Sequence, residues 1–337
     1  MILLNYLFRR LLGIVGVMLG VSVITFAISH VVPADPVLAA LGDKATQDQI
    51  VAFRAAYGLD KPVPVQYVVY LNGLLHGDLG RSIRTRRPVL DDLRDFFPAT
   101  VELTLAALLV SLLIGIPAGI WSARTRNHLP DYLVRTFSII GGALPIFWLG
   151  LIVIGLFYYQ LNWLPAGGRI DQFIAPPTRI TGLYTVDSLL THNMPALGSS
   201  LEHLILPGFV LGYYSTAVIA RMMRSSMLEV LMQDYLLTAR SKGLRESTVI
   251  LRHALRNAMI PTMTIIGVTF GSLLSGAVLT ETVFDWSGLG RYATQSAINL
   301  DFPAVMGVTL LAAIIYALAN LLVDLGYFAL DPRIQHG

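Results

Sequence analysis

The sequence predicts an all-α membrane protein with six membrane-crossing helices, and three observations predict it. Hydrophobic residues make up 55% of the 337 and charged residues 13%, about half the charged share of a typical soluble protein. The mean hydropathy is +0.65, and a soluble chain of this length could not cover its surface with so few charges. Six runs of span length contain no Asp, Glu, Lys or Arg. The same numbers exclude a disordered chain. With no cysteine there is no disulfide framework, thiolate metal site or cysteine nucleophile. The net charge of +3 is small and its arginines are scattered between apolar runs, so they read as topology signals and not as a nucleic-acid surface.

A bilayer core needs about 20 apolar residues in a helix. Leu11 to Ala34 supplies the first span, after Arg9 and Arg10, and its apolar length exceeds a signal-peptide h-region. Leu103 to Ala123 is the second. The third runs from Thr136, its apolar part ending near Tyr159 within a charge-free run to Gly168. His203 to Ala220 is the fourth and weakest, 18 residues with Arg221 able to snorkel at its end. Asn257 to Thr280 and Phe302 to Val323 complete the set. A seventh run, Pro62 to Gly77, has only 16 residues and contains two prolines, Gln66, Asn72 and His76. It reads as a surface or interfacial helix.

Orientation follows from the short loops. With the N-terminus inside, thirteen Lys and Arg fall on inner segments. Only three fall outside once the long segment after the first span, which carries eight, is set aside, because long segments translocate largely regardless of charge. Both termini are then inside. The chain divides into residues 1–34 (tail and first span), an extracytoplasmic helical segment 35–98, and a five-span core 99–337 with an inner loop 221–257. In the outer segment, Ala45 to Tyr57 and Pro62 to Leu75 read as helices, the second offering Val65, Val68 and Val69 to one face. Asp91 to Phe97 reads as a third, short helix running into Pro98. The second outer segment, Asn162 to Leu201, reads as irregular.

Enzyme chemistry is not written in the chain. It has no phosphate-binding loop G-x-x-x-x-G-K-[ST], no G-x-S-x-G and no H-E-x-x-H, and its seven histidines form no i, i+4 pair. Glu102, Glu281 and Asp324 lie at span ends, where they read as interfacial charges within reach of water. No carboxylate pair sits inside a span to couple an ion gradient. Gly16/Gly20, Gly115/Gly119 and Gly267/Gly271 are G-x-x-x-G pairs that allow close helix contact, and Pro117, Pro145 and Pro207 interrupt helix hydrogen bonding within apolar runs.

The inner loop Arg221 to Asn257 holds the densest positive charge. Within it, D-Y-L-L-T-A-R-S-K-G places an N-cap at Asp234 and a C′ glycine at Gly243. The result is a helix of about two turns, roughly 12 Å long, with Tyr235, Leu236 and Ala239 on one face. Ser247 caps a second helix through Val249, Leu251, Ala254 and Leu255 into the fifth span, which contains Pro261. From the residues alone this is equally a docking element and a solvated basic loop.

The stretch R-M-M-R-S-S-M-L-E-V-L-x-x-D-Y-x-x-T-A-R-S-K-G-L, Arg221 to Leu244, resembles the permease subunits of binding-protein-dependent ABC importers, most closely the dipeptide/oligopeptide/nickel branch. So do H-A-L-R-N-A-M-I-P (253–261), L-T-E-T-V-F-D-W-S-G-L-G-R (279–291), D-F-P (301–303), N-L-L-V-D (320–324) and D-P-R-I (331–334). V-P-A-D-P (32–36), G-L-D-K-P (58–62) and H-G-D-L-G (76–80) resemble the larger of the two permeases in such systems. The resemblance implies a type I importer permease with a small extracytoplasmic helical insertion after the first span. It places Leu237 to Gly243 on the family's E-A-A-x-x-x-G element, with Leu237 for the Glu, Thr238 for the first Ala, and Arg256 where a Pro would stand. Asp234, Tyr235, Leu237, Thr238, Ala239, Arg240, Lys242 and Gly243 would then dock an ATPase.

The partners implied are a second, similar permease, two ATPase subunits that bind ATP and Mg, a periplasmic or lipid-anchored solute-binding protein, and membrane lipid. No cofactor is expected in this chain, and no nucleic acid. The implied location is the bacterial inner (plasma) membrane. Short peptides are the expected cargo, with nickel chelates, glutathione, opines and oligosaccharides as alternatives and an ion-coupled secondary carrier as the rival of another class. Glu281, Asp285 and Arg291 are candidates for an outer gate or a binding-protein contact. Tyr213, Tyr214, Thr269, Ser272 and Ser275 are candidates for a weakly binding pore lining.

Overall fold

The computed structural model describes residues 2–31, 37, 41 and 45–330, the side chains of 2–7, 31, 275–276 and 322–330 excepted. The motifs at 32–36 and 331–334, the Asp324 side chain and the Ser275 side chain fall outside the described residues. All regular structure among the described residues is helical apart from one isolated antiparallel bridge, Arg81 to Pro88. By compactness the chain divides into two units, residues 1–100 with 287–317, and residues 101–286 with 318–337.

Five helices are long and apolar enough to cross a membrane, and a sixth span is complete if one sharply bent pair counts as a single crossing. The first unit opens with α1 (Ile2–Val31), then α2 (Gln47–Ala56) and α3 (Val63–Leu75). In α2, Thr46 and Gln49 form a reciprocal capping box, which satisfies two of the free amides at the helix start. Pro64 lies in the first turn of α3, where its missing N–H costs nothing. The α3 helix lies against α1. Tyr67 hydrogen-bonds Ser22 at 3.1 Å, and Phe26 packs on the Tyr67 and Tyr70 rings. Val63, Val65 and Val68 stay exposed.

Helix α4 (Val89–Arg124) runs through both units. The short helix expected at Asp91–Phe97 is therefore the first part of α4, and Pro98 does not end it. Arg94, four residues before Pro98, is exposed, while Leu93, Ala99 and Leu103 are buried. In the first unit α4 packs on α13 (Leu289–Ile298) and α14 (Phe302–Leu330) through Val89, Leu93, Leu289, Tyr292, Ala304 and Val308. Asp301 binds this unit together. It accepts hydrogen bonds from the Ser82 hydroxyl and the Ile83, Arg84 and Ala304 amides, so one carboxylate caps α14 and pins the 82–84 loop. A Cβ on Gly80 would stand 3.6 Å from the Pro303 Cβ. The D-F-P and H-G-D-L-G motifs thus make one structural joint.

The second unit continues with α5 (Leu129–Ala143), α6 (Ile146–Ile154), a π-helical turn Gly155–Gln160, α7 (Tyr184–Leu190) and α8 (Met194–Leu231). After them come α9 (Asp234–Ser241), α10 (Glu246–Thr248), a second π-helical stretch Val249–Ala254, α11 (Leu255–Gly276) and α12 (Val278–Val283). The third span expected from Thr136 is sharply bent: α5 and the Ile146–Gln160 segment meet at 105°. Pro145 is the cause. It forces the preceding Leu144 out of helical backbone, to φ −76°, ψ 129°, and lacks the N–H that would continue the ladder. Pro117 and Pro207 sit inside unbroken α4 and α8. The outer segment expected to be irregular contains α7, and α8 begins inside it, capped by Asn193 on the Ala196 amide.

Helix α8 is the centre of this unit, packing against α5, α6, α7, α11 and α12. Its most apolar window is 72% buried, against 33% for α4. A helix surrounded by protein needs less lipophilicity than one facing lipid, and the most apolar window of α8 has a mean hydropathy of 1.4 against 2.3 for α4. Its contact with α4 is made by small residues. A Cβ on Gly119 would stand 2.6 Å from the Met223 Cβ, and one on Gly212 would stand 2.6 Å from the Ala107 carbonyl oxygen. The Ser111 hydroxyl crosses the same seam to the Gly212 carbonyl at 2.9 Å. Gly16 and Gly20 of α1 meet nothing within 4 Å.

Candidate functional site

Helix α9 ends as the sequence predicts and begins one residue earlier than it predicts. Gly243 has φ +75°, the left-handed C′ position, and its amide returns to the Arg240 carbonyl at 2.9 Å. At the other end the N-cap is Gln233, and Asp234 is the first helical residue with its carboxylate in the first turn, where it opposes the helix dipole favourably. The expected cap at Ser247 is likewise displaced: α10 starts from Arg245, and Ser247 lies inside it.

The two faces of α9 differ in kind. Leu236 and Ala239 are buried in a cluster with Ala123 of α4, Met223 and Met227 of α8, Val249, Ile250 and Ala254 of the π-helical stretch, and Ala258 of α11. Asp234, Tyr235, Leu237, Thr238, Lys242 and Gly243 are exposed and Arg240 is half-buried. Of the expected face, Leu236 and Ala239 do point inward. Tyr235 sits at the edge and reaches sideways, accepting from Asn257 Nδ2 at 2.7 Å. Arg240 makes a two-pronged pair with Glu246 at 3.2 and 3.0 Å, which holds the guanidinium charged and raises its pKa. Both ends of the short helix are thus joined to the segment that leads into α11. Its outer face offers Leu237 at 56% exposure, flanked by Met232 at 69% and Leu244 at 40%, among basic groups. Exposed apolar side chains on a rigid, charged element form a surface suited to a protein partner.

Beside this seat lies a buried ion pair. Asp131, at the start of α5, is fully buried and accepts Arg224 Nε at 2.6 Å and Nη2 at 2.9 Å. It also takes the Ser122 hydroxyl at 2.6 Å and the Asn127 amide at 3.0 Å. One carboxylate therefore joins the end of α4, the start of α5 and the end of α8. Neither residue stood out in the sequence, because both lie just outside the apolar runs.

Nearer the start of α4, Glu102 is not an interfacial charge open to water. It is buried, taking Arg169 Nη2 at 2.6 Å and the Thr185 amide and hydroxyl at 2.7 Å. The Arg169 guanidinium lies 3.7 Å over the Tyr184 ring. Asp187 gathers the Ile180, Thr181 and Gly182 amides and the Thr181 hydroxyl. Burial pushes its pKa up, but these donors outweigh burial and hold it below the usual carboxylate value. Glu281 is buried too, again against the expectation of an exposed span-end charge, whereas Asp285 is exposed. Arg291 is half-buried and belongs to the other unit. Among the pore-lining candidates, Tyr213 is buried edge-on against Phe137 at 4.7 Å, and Tyr214 is half exposed. Thr269 is half-buried, and Ser272 is exposed with its hydroxyl on the Val268 carbonyl.

Comparison with known proteins assigns the chain. Residues 115–336 match the family model "Binding-protein-dependent transport system inner membrane component", and residues 3–104 match the model of that component's N-terminal part. The chain is 51% identical to the probable D,D-dipeptide transport system permease protein of Escherichia coli K12, over 98% of this chain and 97% of that one. It is 42% identical to the dipeptide transport system permease protein of Alkalihalophilus pseudofirmus, over 99% and 100%. Identity to the glutathione transport system permease protein of Escherichia coli O6:H1 is 37%, over 99% and 100%. The chain belongs to the inner-membrane permeases of binding-protein-dependent transport systems, and is a membrane component of such a system and not an enzyme.

Proposed function

We propose that this chain is one of two permeases of an ATP-driven importer for short peptides, and that α9 is where an ATPase subunit docks. The two-faced geometry of α9 carries this reading: Leu236 and Ala239 anchor it to α4, α8 and α11, while Leu237, Thr238 and Lys242 face outward. A helix held on one side in a shared core passes a displacement to several spans at once. A loose loop would absorb it. Dipeptides, D,D-dipeptides and glutathione in the names of the relatives favour a peptide cargo. In this reading a second, similar permease completes the pore, and two ATPase subunits, which bind ATP and Mg, sit on the inner side with both termini of this chain. A solute-binding protein delivers cargo outside, and the pore alternates its access. Glu281, Asp285 and Arg291 serve the outer side, and Tyr214, Thr269 and Ser272 face the path.

Reconstitution in liposomes tests it. The complete set of subunits with its binding protein should take up a labelled dipeptide only when ATP is on the ATPase side, and this chain alone should transport nothing. Uptake by the single chain would establish a secondary carrier instead.

A further inference from the structure

The first unit encloses a cavity of about 1100 Å³ between the end of α1, α2, α3, the 78–86 loop and the start of α14. Its wall carries both apolar and cationic side chains. Phe26, Phe53, Val69, Phe302 and Met306 are apolar, whereas Lys61, Arg81 and Arg86 bring positive charge. None of these three cations is in an ion pair among the described residues, unlike Arg87, which pairs with Asp92 and Asp95. The acid that lines the cavity, Asp78, has one oxygen on the Gly80 amide at 2.8 Å. Arg86 holds a left-handed backbone at φ +57°, uncommon for a residue with a side chain, and its amide closes a turn on the Ser82 carbonyl at 3.0 Å. The Tyr70 hydroxyl is buried in the wall without a hydrogen-bond partner among the described residues.

The place in the fold narrows the ligand. The apolar stretch of α1, Phe8–His30, ends at a residue of this wall. The apolar α3 beside it leaves Val63, Val65 and Val68 exposed, as a helix lying in the membrane interface does. Cations and an apolar slot at headgroup level match a phosphate carried on an acyl chain.

We propose that this cavity binds the headgroup of an anionic phospholipid, with Arg81, Arg86 and Lys61 on the phosphate and the apolar lining residues, Phe26 and Phe302 among them, on the upper part of an acyl chain. Free inorganic phosphate shares the oxyanion chemistry but not the apolar half. The test uses the assembled transporter in detergent, titrated with phosphatidylglycerol bearing a fluorescent acyl chain and, in parallel, with the phosphatidylcholine equivalent. Phosphatidylglycerol should bind about a hundredfold more tightly, from about fivefold for each of the three cations. Arg81→Gln with Arg86→Gln should remove most of that preference, at about fivefold per charge. Lys61→Gln alone should lower it in the same direction. Arg94→Gln, an exposed arginine paired with Asp91 at 3.6 Å, should leave it unchanged. Equal affinity for the two lipids, or an unchanged preference in the Arg81/Arg86 variant, would overturn the proposal. So would displacement of the lipid by millimolar inorganic phosphate, which would make this a free-anion site.

Discussion

Replacing Asp131 with Ala tests whether the ion pair beside α9 is structural cement. Four hydrogen bonds end on this carboxylate, two of them from Arg224. Removing one partner of a buried pair costs roughly 3–5 kcal/mol, because the other charge is left unsolvated. Here the Arg224 side chain is 21% exposed, so water relieves part of that and the low end applies, about 3 kcal/mol. That is roughly a hundredfold in a folding equilibrium. Arg224→Ala alone should cost less, since Asp131 keeps Ser122 and the Asn127 amide. The double variant should recover part of the sum, giving a coupling of about 1–3 kcal/mol. The assay is thermal unfolding of the assembled complex in detergent, followed by tryptophan fluorescence. An Asp131→Ala complex melting within a degree of the parent, or strictly additive single variants, would refute the reasoning.

Five further outcomes follow from the same geometry. Gly119→Leu or Gly212→Leu should overpack the α4–α8 seam, where even a Cβ meets atoms at 2.6 Å, lowering stability by roughly 1–3 kcal/mol in the same assay. Asp234→Pro should be tolerated in an ATP-driven uptake assay, since Pro suits the first helical position and Gln233 already has the extended backbone that Pro requires of its neighbour. Thr238→Pro, in mid-helix, and Gly243→Pro, at φ +75°, should abolish uptake while the protein still inserts. Acid should loosen the 180–187 turn: Asp187 has a lowered pKa, so its contribution is present above about pH 4 and is lost as pH falls through the lower folded value. Asp187→Asn should remove that acid step in hydrogen exchange of the 180–187 amides. On this cysteine-free background, Phe173→Cys, at a side chain 98% exposed, should react with an impermeant thiol reagent in intact cells, and Ser241→Cys only after the membrane is opened. Ser82 is the wrong place for such a probe, being buried against Asp301.

What the sequence made legible was set by hydropathy and by punctuation. The apolar runs located the crossing helices, and Gly243 marked the end of α9 because few other residues take a left-handed turn without strain. The capped α2 and the proline-led α3 were equally visible. Buried charge was not. Glu102, Glu281 and Asp131 lie beside apolar runs, where a sequence cannot distinguish lipid headgroups and water from another helix. The importance of α8 was hidden for the same reason. Hydropathy scores a helix against lipid, and α8 meets mostly protein, including through Gly208 and Gly212 against Ala106 and Ala107. That glycine pair has the same spacing as the pairs recognised elsewhere and could have been found by extending the search to this run. Nothing in the sequence signals that residues 287–317 fold with 1–100. Asp301 and Tyr292 make those contacts at long range, to Ser82 and Asp92.

The docking of an ATPase on α9 is tested most directly by a photo-reactive residue at Leu237 in the assembled, ATP-hydrolysing complex. Leu237 is exposed on the outer face of α9, and Leu236 beside it is fully buried. The account predicts an adduct between position 237 and an ATPase subunit, and from position 236 only adducts within this chain. An adduct from 237 to the solute-binding protein, or none to an ATPase subunit in a complex that still transports, would contradict it.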